Sequence, residues 1–357
     1  MAAKYLTIAR DLRNFILSHQ SITTYKLPTE QEMCDRYGVS RQTIRQALLI
    51  LEEENLIIRI QGSGAYILPQ ADYLRKVKIV LLVSEENEYI YPQFIADVSS
   101  VLTEKSLRLD VRSTHNDVNT ERRILQELLT EHISLLVVEG VHTSFPNPNI
   151  DLYRSLMAHK TDIMFIGDAY PEIANTGHIT MDNRQGGYLL GKQMIMNERY
   201  DIWAILPDYA GNAKERFHGF LSAYSEKNLP IPTQNIYWYS QRHMQALYER
   251  NDTGFLSDFV KHHAAKCNGV FCYNDEIAYW LIKELNYAKI PVPDRIAVVG
   301  FDNSYLCTLS RPPISTLALD AHEPGISVGN MISDHLFNKK SGQTTELPWK
   351  YISRGSL

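Results

Sequence analysis

The spacing of apolar residues changes character across a polar stretch at 69–76. Before it, Leu6, Ile8, Ala9, Leu12, Phe15 and Ile16 recur at helical intervals and predict a first helix with one apolar face. After Leu27-Pro28, Thr29-x-x-Glu32 has the form of a capping box, and the pattern through Met33, Cys34 and Tyr37 stops at Gly38, a residue suited to a left-handed cap. Ser40 then opens a third helix whose Ile44, Ala47, Leu48 and Leu51 fall at i, i+3, i+4 and i+7. Leu56, Ile58 and Ile60 alternate with Ile57, Arg59 and Gln61. Gly62-Ser63-Gly64 turns the chain, and Tyr66 and Leu68 alternate back, so a β-hairpin is expected.

Beyond the polar stretch, short apolar runs alternate with helical patterns. Strands are expected at 77–83, 109–112, 135–138 and 163–166, with helices at 94–107 and 121–131. Trp203 to Leu206, Gly269 to Cys272 and Ile296 to Val299 repeat the alternation. Runs that are apolar throughout fit parallel strands covered on both faces. Two doubly wound lobes facing a cleft follow, and ligands bind at the carboxyl ends of such strands.

Charge changes this picture locally. The chain of 357 residues carries a net charge of −5, which at first argues against nucleic acid. Residues 1–68 come to +1 and the remainder to −6, so any affinity for DNA must come from placed charges. The run 36–51 supplies them: Arg36, Arg41 and Arg45 with no acid, bracketed by Asp35 and Glu52 to Glu54. Arg41, Gln42, Thr43, Arg45 and Gln46 lie largely off the buried face of the third helix, near its N-terminus. There, backbone N–H groups favour phosphate, and Arg and Gln reach base edges in a major groove. A glycine-tipped hairpin approaches a sugar-phosphate backbone closely.

Leu27-Pro28-Thr29-Glu30, the run Tyr37 to Leu48 and Gln61-Gly62-Ser63-Gly64 together resemble the winged helix-turn-helix of GntR-family repressors. The resemblance implies that Ser40, Arg41, Gln42, Thr43 and Arg45 read operator DNA, with Gln61, Gly62, Ser63 and Gly64 at the wing. Gln31 stands where that family usually carries arginine. Further on, Met181-Asp182-Asn183-x-x-Gly186-Gly187, Glu215-Arg216-x-x-Gly219-Phe220, Tyr273-Asn274-Asp275-Glu276-x-Ala278, Val298 to Asn303 and Arg311 to Thr316 resemble the LacI/GalR effector domain. Such a combination is similar to the arabinose-responsive repressors called AraR. The expected fold is an N-terminal α+β winged helix-turn-helix, residues 1–68, a linker at 69–76, and an α/β periplasmic-binding-protein-like domain at 77–357. Its first lobe is expected at about 77–178 and 310–338 and its second at about 179–305 and 342–357.

By motif position the resemblance carries Glu139, Asp168, Arg216, Asn274 and Asp302 into the cleft. Carboxylates and amides pair with vicinal hydroxyls, and Arg216 donates from a rigid fork. Of the aromatic residues at 89, 91, 94, 238 and 239, Tyr91 and Tyr239 are taken as the stacking pair. Asp302 could instead cap the next turn, Asp275 suits a helix cap better than a ligand, and Arg216 could close an ion pair within its lobe. Three carboxylates against one arginine disfavour an anionic effector, because like charges in a desolvated cleft are costly. A neutral sugar follows, and by resemblance L-arabinose.

The expectation is a cytoplasmic, dimeric repressor that binds a palindromic operator and is released by the sugar. No membrane span, signal peptide, cofactor, catalytic group or metal site is read from the sequence. Cys34, Cys267, Cys272 and Cys307 lack metal or redox spacing and read as free thiols. A transport-type sugar-binding protein is the binding-only rival, and a glycoside hydrolase the enzymatic one. The N-terminal reader counts against the first, and no identifiable acid and nucleophile pair supports the second.

Overall fold

The computed structural model describes residues 4–18, 26–54, 56–60, 62–68, 77–174, 176–338 and 342–357. The expected linker at 69–76 and Gln61 lie outside them. The chain divides into two compact units, one of Met1–Lys78 with Thr103–Arg108 and one of Ile79–Leu102 and Leu109–Leu357.

The first unit has three helices, α1 (Lys4–Ser18), α2 (Glu30–Tyr37) and α3 (Arg41–Glu53), followed by a hairpin of β1 (Ile57–Ile60) and β2 (Gly64–Ile67). Local chemistry sets each boundary. Thr29 and Glu32 form a reciprocal capping box at the start of α2, and Gly38 ends it in the left-handed region at φ 60°, its N–H bonded to Cys34 O. Ser40 caps α3 by accepting from Thr43 N. Ile8, Leu12 and Ile16 pack with Met33, Ile44, Ala47, Leu48 and Leu51 in one core, which Leu56, Ile57, Ala65 and Ile67 close from the hairpin side. Leu6 is 47% exposed and does not join the apolar face of α1.

The hairpin departs from its sequence alternation. Ile57, opposite Ile67, is the inward residue, whereas Ile58 and Ile60 are exposed. Leu56 and Ile57 are buried in succession as the chain leaves α3, so the strand enters shifted by one position. With a period of two, a one-residue shift exchanges the faces.

In the second unit, β3 (Ile79–Val83), β4 (Leu109–Ser113), β5 (Leu135–Glu139), β6 (Asp162–Ile166), β7 (Gly177–Met181) and β13 (Thr344–Leu347) form one sheet. Its order is β13-β7-β6-β5-β3-β4, with every pairing parallel. A second parallel sheet holds β9 (Ile236–Tyr239), β8 (Ile202–Pro207), β10 (Gly269–Cys272) and β11 (Ala297–Val299), in that order. The antiparallel pair β12 (Thr316–Ala318) and β14 (Lys350–Ile352) joins this lobe, a Val299–Ser315 bridge linking it to β11.

Two segments exchange lobes relative to the sequence expectation. Thr316–Ala318, expected in the first lobe, pairs with β14 on the second, and Thr344–Leu347, expected in the second, extends the first sheet alongside β7. Only Leu347 of β13 is buried, so an edge strand exposed along most of its length offered no apolar period.

Candidate functional site

The third helix of the first unit presents Arg41, Gln42, Arg45 and Gln46 on its exposed side while Ile44, Ala47 and Leu48 anchor it from behind. Ser40 is spent on the cap, where its hydroxyl also pairs with Thr43 Oγ1 at 2.9 Å. The arginines are already held from α2. Arg41 donates through Nη2 to Gln31 Oε1 at 2.7 Å, and Arg45 Nε lies 2.9 Å from Glu30 Oε2. The Arg45 side chain is 63% exposed, so this ion pair contributes little. At the hairpin tip Gly62 and Gly64 sit at φ 78° and 120°, a region side-chain-bearing residues avoid, and the Ser63 hydroxyl pairs with Tyr66 OH at 2.5 Å. Gln31 and Glu30 were not read from the sequence as partners of these arginines. Their i to i+10 and i to i+15 spacing crosses a turn, and no helical period reports it.

The cleft of the second unit is built where β3, β5, β8, β10 and β11 end. Its centre is Arg216, on the helix Gly211–Ser225 and 4% exposed. Nε donates to Asn183 Oδ1 at 3.0 Å, Nη1 to the Tyr273 carbonyl at 2.7 Å and Nη2 to Asp302 Oδ1 at 3.3 Å. The guanidinium also lies 4.3 Å from the Phe301 ring centre and 4.9 Å from that of Tyr273. Burial opposes its charge, yet Asp302 beside it and the phenols of Tyr273 and Tyr89 hold the guanidinium more firmly protonated than usual. The helix reaches this position because it crosses the helix Asn183–Met196 at glycine. A Cβ on Gly187 would stand 1.7 Å from Arg216 O, and one on Gly219 the same distance from Arg184 O. The glycines of the two motifs therefore seat the arginine and have no need to touch a ligand.

The first lobe faces this group with a carboxylate network. Glu139, at the end of β5, accepts the Tyr91 hydroxyl at 2.8 Å and the Ser84 N–H at 2.7 Å. Burial raises its pKa against those hydrogen bonds, with Asp302 adding to the rise. Tyr89 crosses the cleft and donates to Asp302 Oδ2 at 2.8 Å. Burial and the facing Asp302 and Asp275 push the Tyr89 phenol well above its ordinary value. The structure brings Tyr91 to Glu139 and Ser84, and Arg216 to Asp302, Tyr89 and Tyr273; Tyr91, expected as a stacking ring, is engaged through its hydroxyl.

The remaining candidates are engaged differently. Asn274 is the N-cap of Asp275–Tyr287, accepting from Ile277 N, so the capping role expected for Asp275 falls one residue earlier. Asp275 instead lies fully buried, accepting from Thr316 Oγ1 at 2.5 Å and Ser304 N at 2.8 Å. Its carboxyl is pushed up to about 7 by burial and by Asp302. Tyr239 is 1% exposed and packs edge-on to Tyr209 within the second lobe's core. Asp168 accepts the Thr143 hydroxyl at 2.8 Å.

Residues 4–67 match the family profile for bacterial regulatory proteins of the gntR family, and residues 201–357 that for a periplasmic binding protein-like domain. The chain joins a gntR-type DNA-binding domain to a periplasmic-binding-protein-like domain. A protein of Halalkalibacterium halodurans described as an arabinose metabolism transcriptional repressor is 28% identical over 340 residues, 93% of this chain and 89% of its own. A Geobacillus stearothermophilus protein of the same description is 29% identical over 331 residues, 92% of this chain and 90% of its own. A LacI-family transcriptional regulator from Enterococcus faecium, solved with bound ribose, superposes with a TM-score of 0.64 at 20% identity, covering 78% of this chain and 98% of its own. Among the described residues no helix is long and apolar enough to cross a membrane, and no His, Cys, Asp and Glu cluster is arranged to hold a metal ion.

Proposed function

We propose that this protein is a sugar-responsive transcriptional repressor of the cytoplasm. As a dimer it binds a palindromic operator through the exposed side of α3 and the glycine wing. A neutral monosaccharide, L-arabinose first, closes the cleft and lowers operator affinity. The observation that carries the effector class is the Arg216–Asp302 pair facing Glu139. The buried cation Arg216 is already matched by a carboxylate, and a second carboxylate, Glu139, approaches from the other lobe. An anionic sugar acid or phosphate entering there meets uncompensated negative charge in a desolvated space. Vicinal hydroxyls meet acceptors on both sides. The arabinose-specific part draws on the names of the two bacterial relatives.

The site reads as binding without turnover. Glu139 is held by three donors, from Tyr91 and Ser84, which fixes it as an acceptor rather than leaving a free acid beside a nucleophile. Operator and sugar weaken each other by one shared factor, typically ~1–3 kcal/mol. Fluorescence anisotropy of a labelled operator, titrated with L-arabinose, D-xylose, D-galactose and a sugar phosphate, tests the reading. Release by one neutral sugar and none by the phosphate is expected. Release by another neutral sugar keeps the repressor and replaces arabinose; release by the phosphate alone overturns the charge argument.

A further inference from the structure

The lobes meet beside the Arg216 helix through a contact that sugar binding alone leaves without a purpose. Thr143, in the loop after β5, donates to Asp168 Oδ2 at 2.8 Å within its own lobe and accepts the Gly211 N–H, from the other lobe, at 2.8 Å. Gly211 is the first residue of the helix that carries Arg216. The first N–H groups of a helix lack partners within it, so the Thr143 oxygen satisfies one that opening returns to water. Nearby, Ser144 N donates to Tyr209 O at 3.1 Å and the His142 ring stacks on Tyr209 at 5.5 Å. Asn116 Nδ2 donates to Gln241 Oε1 at 3.0 Å, and Gln241 Nε2 returns a bond to His115 O.

A side chain at Gly211 would have to push the Asp168 carboxylate aside and press on Thr143. A Cβ there would lie 2.6 Å from Asp168 Oδ2, 3.1 Å from Thr143 Oγ1 and 3.2 Å from Thr143 O, all atoms of the facing lobe. Gly211 is not among the positive-φ glycines, so its backbone accepts alanine and it is the approach of the lobes that opposes it. The contact also runs straight into the site. Asn212, the next residue, accepts the Tyr273 hydroxyl at 2.9 Å, and the Tyr273 carbonyl holds Arg216 Nη1.

We infer that Asp168, Thr143 and Gly211 form the seat on which the cleft closes, with Gly211 kept small so that the Arg216 helix docks against the first lobe. This rests on the reading that the sugar acts by closing the cleft. It makes Asp168 and Thr143 positioning residues and Gly211 the steric gate of the response.

The test uses the full chain and three variants, Gly211→Ala, Thr143→Ala and Thr143→Ser. Operator affinity without sugar, L-arabinose-driven release and amide hydrogen exchange at Ser144 and Gly211 are measured on each. Gly211→Ala should bind operator as wild type does, need about tenfold or more L-arabinose for release, and exchange faster at Ser144. Thr143→Ala should shift the same way by less, and Thr143→Ser, which keeps the hydroxyl, should behave as wild type. Wild-type release and exchange in Gly211→Ala would overturn the inference. If L-arabinose releases not even the wild-type protein, the sugar assignment fails and exchange alone decides. Faster exchange at Ser144 in Gly211→Ala then supports the seat, and equal exchange overturns it.

Discussion

The Tyr89 phenol donates to Asp302 Oδ2 at 2.8 Å, and the two residues belong to opposite lobes. Both sit on backbone that side-chain-bearing residues seldom adopt, Tyr89 at φ 59° and Asp302 at φ 96°. Each such residue costs of order 1–3 kcal/mol and persists where surrounding structure over-determines it. The two residues are joined by a bond that exists only when the lobes are together.

Tyr89→Phe removes that bond from the closed form and leaves an open form untouched. A ligand that binds the closed form then loses apparent affinity in proportion to the lost population. Isothermal titration with the effector should show binding weakened by up to about tenfold. Operator affinity without sugar should stay at the wild-type value. Tighter sugar binding would mean that the phenol competes with a sugar hydroxyl for Asp302.

Asp302→Ala acts on stability as well. Arg216 and Asp302 side chains are 5% and 11% exposed, so alanine leaves a guanidinium buried with no charge opposite. Breaking such a pair costs about 3–5 kcal/mol, partly offset here because Tyr273 O and Asn183 still accept from Arg216. Chemical denaturation should show the effector domain losing most of that amount. Asp302→Asn, which keeps an acceptor, should lose distinctly less, and equal losses would place the cost in packing rather than charge.

Much of this arrangement was legible in the sequence, for identifiable reasons. Capping chemistry is local, so Thr29 with Glu32, Gly38 and Ser40 fixed the boundaries of α2 and α3 before any tertiary contact was known. Parallel strands buried on both faces announce themselves as apolar runs; Glu139 closes one such run, and Asp302 lies three residues past the end of another. What was illegible depends on long-range geometry. Tyr89 reaches a residue more than two hundred positions away, and the exposed strand Thr344–Leu347 has no pattern that assigns it to a sheet. Tyr239 follows a strand pattern, yet its packing against Tyr209 and Phe255 came from elements the sequence had not placed together.

Gly219→Ala tests the helix crossing that seats Arg216. The added Cβ would fall 1.7 Å from a backbone oxygen, Arg184 O, which no rotamer change relieves. Overpacking of cores typically costs about 1–3 kcal/mol, and a backbone clash belongs at or above the upper end. The effector domain should melt at a clearly lower temperature by calorimetry. The gntR-type domain has its own core and should unfold as before.

The pH dependence of stability has a definite sign. Glu276 is raised to about 7 by burial, against the Tyr248 hydroxyl bond and helped by the facing Glu88. Between its unfolded value of about 4.3 and 7 the folded protein holds a proton that the unfolded chain has lost. Its stabilising contribution is therefore complete below that window and is lost as pH rises through it. Wild type should melt lower at pH 8 than at pH 5. Glu276→Gln keeps an acceptor for Tyr248 OH, which lies 2.8 Å away, and should flatten the difference. An unchanged slope would assign the effect to other groups, Asp275 first.

Arg45→Ala separates reading from sensing. Arg45 is exposed on α3 and its ion pair with Glu30 contributes little, so the gntR-type domain should keep its stability to within about 1 kcal/mol. In the proposed complex with operator the same side chain would supply either a phosphate or a base contact. Loss of one such contact costs about 1–3 kcal/mol, and a phosphate contact also lowers the salt slope by about one. Operator titrations at several salt concentrations should show the weakening and identify which contact was lost. A weakening that is uniform over all sequences with a reduced slope marks a phosphate, and relaxed discrimination at one base pair marks an edge. Sugar affinity measured without DNA should be unchanged, because the cleft is built entirely from residues beyond position 78. Equal loss of sugar and operator binding would mean that the substitution disturbs the whole chain, and α3 would lose its assignment as the reading element.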